Sequence, residues 1–447
     1  MKFKLVLSFL FVFVLFDNTY SQTGFYFKNK NSEKVSLSFK KINNLIVIPV
    51  TINGKELSFI LDTGVNKTIL FNLSSKDSIS LMNTEKVTLR GLGGGKAVSA
   101  IISRNNRVNI KQLISIDESI YVVLKDFHDL SGKMGTTIHG IIGYSVFKNF
   151  VVKINYKTNR IIFYKPDNFK YRKCKKCFTT ELKYYKRKPY LKAKVQLDTV
   201  GDSLQEVKLL IDTGGSDALW LFEYSDKNIK TPIKHFRDIL GEGLSGTIYG
   251  NRSRIPKFVL GDFKIPNPTV SFLDTISTKA SRNFKYRNGS IGAGMLSRFT
   301  VWVDYPHRQI TFKKNSSFRK KFYYNMSGLD VVYAGRELVK EEKTNRNFNS
   351  AFNEETNIKN TISFVTRYQF RFKPTYKIKS VVKNSPADKA GLKPGDKIIS
   401  LNRKAAHTYT LSNIIAKFQE RDNKKIRLVI DRNGEKMKFE FRLKKSV

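Results

Sequence analysis

Apolar and polar positions along this chain change over in short runs, and long stretches with a helical repeat are missing. The segment LIVIPVTINGKELSFIL, positions 45–61, reads as two strands rich in β-branched residues around an Asn-Gly turn, a strong hairpin signal. FVVKINYKTNRIIFY at 150–164 and TVWVDYPHRQITFK at 300–313 likewise read as strand, turn, strand. Helix is expected only near the C-terminal end. There Ser385 and Pro386 form a helix start, and TLSNIIAKFQER at 410–421 is a second candidate, followed by strands KKIRLVIDR and KMKFEFRL. One apolar run differs in kind. Leu5–Phe16, behind Lys2 and Lys4 and ahead of small polar residues, has the form of an export leader over 1–21 and is too short to span a membrane. The expected location is therefore periplasmic or extracellular, with no transmembrane segment and, lacking a cysteine after the run, no lipid anchor.

The hairpin ends in a motif that occurs twice. FILDTGVNKTILF at 59–71 returns as LLIDTGGSDALWLF at 209–222, with Asp62 and Asp212 separated by 150 residues. The Gly-rich turns GLGGG from Gly91 and GEGLSG from Gly241 keep the same separation, and Gly143 pairs with Gly292 and Phe150 with Phe299 one residue closer. Ordered landmarks at a nearly constant offset mean two copies of one β-rich unit. We expect them over 22–165 and 191–326, joined by a basic connector at 166–190 in which a strand of its own is open.

A strand running into Asp-Thr-Gly delivers a carboxylate on a tight loop, with a hydroxyl able to bond main-chain groups across an interface. Two such loops related by a pseudo-twofold axis place two carboxylates side by side. At about 3 Å they repel by roughly 5 kcal/mol at an effective dielectric near 20, so they share one proton across a wide pH range. The ionised member can then take a proton from water while the protonated member donates to a carbonyl oxygen.

The wider composition adds little chemistry. The chain has 447 residues, 40% of them hydrophobic, enough for two or three domains with their own cores. Its formal charge of +44 suggests attraction to acidic surfaces, yet the basic residues are spread out rather than gathered in an arm, so no specific nucleic-acid site is expected. Cys174 and Cys177 are the only cysteines; a local disulfide is open to them, whereas a metal site would need two further ligands. No metal and no cofactor is expected.

Asp62-Thr63-Gly64, Asp212-Thr213-Gly214, the Gly-rich turns and the GIIG and GSIG elements together resemble the pepsin and retropepsin aspartic proteases. More narrowly, the chain is similar to bacterial secreted proteins in which a retropepsin-like region precedes a PDZ domain. The resemblance implies a mainly β, two-lobed acid-protease fold with a pseudo-twofold repeat, and an endopeptidase cutting extended polypeptide. It assigns Asp62 and Asp212 as the dyad, with Thr63, Gly64, Thr213 and Gly214 supporting the catalytic loops. Gly91, Gly93, Gly94, Gly241 and Gly243 become flap candidates. Val65 and Gly215 stand where pepsin-like enzymes carry a hydroxyl, which implies a mildly acidic optimum rather than a strongly acidic one. Tyr249 is the only tyrosine near a flap turn. A fused pair of lobes makes a monomer sufficient and leaves oligomeric state open. The alternative is a non-catalytic protein that binds peptides in the same cleft.

From Tyr376, YKIKSVVKNSPADKAGLKPGDKIISLN resembles the PDZ domains of bacterial envelope proteases, and 327–447 is expected to form that module. The resemblance implies a groove that adds a C-terminal or extended peptide to a sheet edge. Ser327, Gly328 and Leu329 are its candidate carboxylate-binding residues. The polar stretch at about 336–359 is expected to be a surface loop.

Overall fold

The computed structural model describes residues 23–73, 79–92, 95–123, 130–171, 173–197, 201–278, 287–351 and 359–447, with backbone alone at 242, 341–351 and 359–367. The leader therefore lies outside the described residues, as do Gly93 and Gly94. Among those described, strands gather into four sheets and helices are short, so the protein is mainly β.

The two copies are two lobes built on one plan. In the first, strand Lys55–Leu61 runs parallel to Gly140–Ile142, which is also antiparallel to Thr68–Leu70. In the second, Gln205–Asp212 runs parallel to Gly289–Gly292, itself antiparallel to Leu219–Phe222. Each central trio is nearly all apolar because both of its faces are covered, which explains why FIL and LLI precede the Asp without alternation.

A shared sheet joins the lobes. Val151–Asn155 pairs antiparallel with Phe299–Asp304, and Lys153 opposite Trp302 marks the pseudo-twofold axis. Arg160–Tyr164 and Gln309–Lys314 flank that pair, and Lys34–Ser38 and Cys177–Glu181 close the two edges. This register corrects the connector. Cys177–Glu181 is the second lobe's counterpart of Lys34–Ser38, so the second copy starts inside 166–190 rather than at 191. A strand in the connector was open from the sequence; that it belongs to the second lobe was not, because its basic, polar edge sequence does not name its partner. Just before it, Cys174 and Cys177 are joined by a disulfide.

The C-terminal module has its own core, including Leu329, Ile378, Leu401, Ile414, Phe418 and Ile430. Ser385 caps its first helix, accepting the Asp388 N–H at 3.2 Å, with Pro386 in the first turn. Both lobes touch the module. Arg254 of the second lobe donates to the Val447 carbonyl at 3.2 Å, and Lys133 of the short helix Leu130–Met134 lies 3.9 Å from Asp330. Most of the stretch read as a polar loop is instead paired backbone, since Leu329–Ala351 and Lys359–Val381 form one long antiparallel ribbon; 352–358 lie outside the described residues. The signal was one-sided. TISFVTRYQFRF carries strand-forming aromatic and β-branched residues, whereas its partner is mostly charged and polar and reads as loop by itself.

Candidate active site

Each Asp-Thr-Gly turn is tight, with the Val65 amide donating to the Asp62 carbonyl and the Gly215 amide to the Asp212 carbonyl, both at 3.4 Å. Beneath each turn lies the second glycine of its lobe. A Cβ on Gly143 would come within 2.1 Å of the Asp62 carbonyl oxygen, and one on Gly292 within 2.3 Å of the Asp217 carbonyl oxygen. Any side chain there would lift the loop, which is why GIIG and GSIG recur at the same distance from the Asp.

The threonines lock the two turns together. The Thr63 amide donates to Thr213 Oγ1 at 3.0 Å and the Thr213 amide to Thr63 Oγ1 at 3.2 Å. Each hydroxyl then donates across the interface, Thr63 to the Ile211 carbonyl at 2.7 Å and Thr213 to the Leu61 carbonyl at 2.8 Å. Thr63 is fully buried and Thr213 nearly so, so these bonds exchange with no bulk water.

The carboxyl groups of Asp62 and Asp212 consequently meet and share a hydrogen bond. One amide serves both: Gly214 N–H donates to Asp62 Oδ1 at 3.2 Å and to Asp212 Oδ1 at 3.1 Å. Gly64 N–H adds a bond to Asp62 Oδ1 at 2.6 Å. Burial and then the neighbouring Asp212 carboxylate push the Asp62 carboxyl well above the usual carboxylate range. Burial raises Asp212 too, with the cations Arg287 and Lys188 pulling the other way. The pair is arranged to hold one proton between two oxygens, the state in which one group accepts a proton and the other donates.

A cleft of about 530 Å³ opens above the pair. Leu45, Ile69, Phe71, Leu210, Trp220 and Ile248 supply apolar walls. The two Gly-rich turns form its roof and bond to each other: Gly91 N–H to Ser245 Oγ at 3.1 Å, Ser245 N–H to the Leu92 carbonyl at 2.9 Å, and Gly95 N–H to the Ser245 carbonyl at 2.7 Å. Gly91 and Gly243 sit at the crossing, where a Cβ on Gly243 would meet the Leu92 carbonyl oxygen at 2.2 Å. Gly241 faces the Trp220 ring. Tyr249 lies outside the cleft, exposed, with Arg237 over its ring.

Sequence reading missed a group beside the second loop. Asp217 accepts from Trp220 Nε1 at 2.8 Å and Ser271 Oγ at 2.7 Å and pairs with Arg252, which also holds Asp238. This network fixes the Trp220 wall. Nothing in the spacing marks it, because Arg252 is 35 residues from Asp217 and one basic residue among many.

In the C-terminal module Ser327 is buried, and its Oγ accepts the Leu329 N–H at 3.0 Å while its own amide donates to Asn325 Oδ1 at 3.0 Å. Two of the three candidate amides are thus engaged within the loop; the Gly328 amide has no such bond among the described residues. A peptide carboxylate at this loop would need Ser327 Oγ to rotate away. The strand that follows pairs on one side with Lys359–Val381, and near its start Gly135 of the first lobe lies against Leu411.

Residues 48–146 match the aspartyl protease family and residues 377–432 match the PDZ domain. Over 69 residues the chain is 38% identical to the carboxy-terminal processing protease CtpB of Bacillus subtilis (strain 168), a match spanning 15% of this chain and 14% of that protein. The crystal structure of an aspartic proteinase from Irpex lacteus is similar over 64% of this chain and 99% of its own, at 13% identity and a TM-score of 0.42. The chain is thus similar to an aspartyl protease over 48–146 and to a PDZ domain over 377–432.

Proposed function

We propose that this protein is an exported aspartic endopeptidase that cuts extended polypeptide segments. The observation that carries the reading is the hydrogen-bonded pair Asp62 and Asp212 under one bridging amide, at the base of a roofed cleft. In the reaction the ionised carboxylate takes a proton from a water molecule, whose oxygen attacks the peptide carbonyl. The protonated partner donates to the carbonyl oxygen as the tetrahedral centre forms, and a proton is then passed to the leaving nitrogen as the C–N bond breaks. The interlocked roof must part for a chain to enter and then close over it, shielding the reaction from solvent. The PDZ domain raises the local concentration of its polypeptide substrate by holding a second segment of it.

The test is digestion of an unfolded protein mixture from pH 1.5 to 8, with product ends mapped by mass spectrometry. Internal cleavage is expected, greatest in mildly acidic solution. Neither Val65 nor Gly215 carries a hydroxyl to stabilise an ionised carboxylate, and burial favours the protonated forms. A maximum near pH 2 would contradict this account of the pair, and products trimmed only from chain ends would contradict endopeptidase action.

A further inference from the structure

The pseudo-twofold that duplicates the dyad breaks at two positions beside it. In the first lobe Val47 pairs with Ile60, so Leu45 comes level with Asp62; in the second, Tyr190 pairs with Leu210, so Lys188 comes level with Asp212. Leu45 and Lys188 are thus counterparts, and they are 143 residues apart, the same offset that relates the edge strands starting at Lys34 and Cys177. Likewise Ile138, fully buried two residues before Gly140, has Arg287 as its counterpart two residues before Gly289. Where one lobe places two aliphatic side chains, the other places two cations.

The two cations are held differently. Arg287 is buried and satisfied, donating to the Gly289 carbonyl at 3.1 Å and Ser290 Oγ at 2.7 Å and lying over the Phe222 ring. Lys188 is half-buried on the cleft wall, its backbone paired with Tyr185, and among the described residues its ammonium has no hydrogen bond and no carboxylate within ion-pairing distance. Burial and then the neighbouring Arg287 lower its proton affinity, while the two reacting carboxyls act on it in the opposite sense. Lys67, Arg90 and Lys186 also line the cleft, and among the described side chains, which exclude that of Glu242 in the roof, no acidic residue beyond the dyad does. A partly desolvated ammonium without a partner is a poor use of a cleft wall unless the ligand brings the partner.

We propose that Lys188 makes the cleft selective for an acidic side chain on one side of the scissile bond, opposite an apolar one held by the Leu45 wall. This rests on the endopeptidase reading and names its substrate class. A substrate strand crosses the pseudo-twofold axis, so the charge asymmetry of the lobes becomes an asymmetry of sequence preference about the cut. Basic segments, which abound in this chain itself, are disfavoured.

The test uses the full chain and peptides blocked at both ends that differ only in Glu, Gln or Lys next to the cleaved bond. Cleavage is read as kcat/KM and binding as fluorescence anisotropy. Glu over Gln by about tenfold to a hundredfold is expected for wild type, as for a charge-assisted bond. The ratio should collapse toward one in Lys188→Met, persist in Lys188→Arg and turn toward the Lys peptide in Lys188→Glu. Losing this cation should also move the acidic limb of the pH profile of Lys188→Met to higher pH. A peptide whose only carboxylate is its free C-terminus separates an end-binding site from a side-chain site, and preference for it over the blocked Glu peptide would overturn the proposal. If peptides are cut with no Glu preference, or Lys188→Met keeps it, the inference falls and the endopeptidase reading stands. If nothing is cut but the Glu peptide binds more tightly through Lys188, acidic selectivity stands and the endopeptidase reading falls.

Discussion

Asp62→Asn is expected to lower kcat/KM by about a thousandfold or more while raising the melting temperature at neutral pH. The two effects come from one cause. Asp62 is buried against Asp212, and burial and that neighbour hold its carboxyl above the usual range. Between the ordinary carboxylate value and the raised one, the folded state binds more protons than the unfolded state, so the wild-type carboxyl costs stability as pH rises through that window. Below it the group is protonated in both states and the cost is absent. Asn keeps an oxygen to accept the Gly214 and Gly64 amides but carries no charge. The expected gain is a few degrees at pH 7, at about 2–4 °C per kcal/mol for a domain of roughly 150–250 residues, shrinking toward zero near pH 3. Thermal melts of both proteins across pH 3 to 8, beside a cleavage assay, check it. An inactive variant with an unchanged melting temperature at every pH would mean that the two carboxyls do not repel and that the shared-proton account is wrong.

The dyad and its surroundings were legible because their causes are local and repeated. A Gly under a carbonyl, a Thr able to bond main chain, and an apolar strand with both faces covered each leave a mark on the residue that performs the task, and duplication made the marks visible twice. Lys188 and Arg287 left none. They matter because strand register sets them beside Asp212, and a lysine or arginine in a chain with 81 of them announces nothing. The charged half of the long ribbon was missed, and the place of the edge strand Cys177–Glu181 in the second lobe with it, for a related reason: both are set by the partner they pair with, not by their own side chains. The roof lies between these cases. Its glycines marked the turns, but that the two turns bond to each other through Ser245 depends on the fold of both lobes.

Thr63→Val should be the most damaging conservative change in the protease region. Valine has nearly the shape of threonine, so packing is preserved and only hydrogen bonding is tested. Two bonds are lost, leaving the Thr213 amide and the Ile211 carbonyl buried without their partner. At about 1–3 kcal/mol for each buried group left unsatisfied, the expected cost is roughly 2–6 kcal/mol, a large part of the stability of a typical domain. Thr213→Val should cost a similar amount, since its hydroxyl holds the Thr63 amide and the Leu61 carbonyl in the same way. Thr63→Ser keeps both bonds and should lose little. Urea melts give the stability difference, and kcat/KM below the unfolding transition gives the catalytic one. The fall in kcat/KM should exceed what the unfolded fraction explains, because the carboxyls depend on these bonds for their alignment and a small misplacement of reacting groups is costly. Should Thr63→Val fold and cut as well as Thr63→Ser, the threonines would be packing residues only. The recurrence of Thr in both loops would then reflect shape, not the bonds that join the two halves of the site.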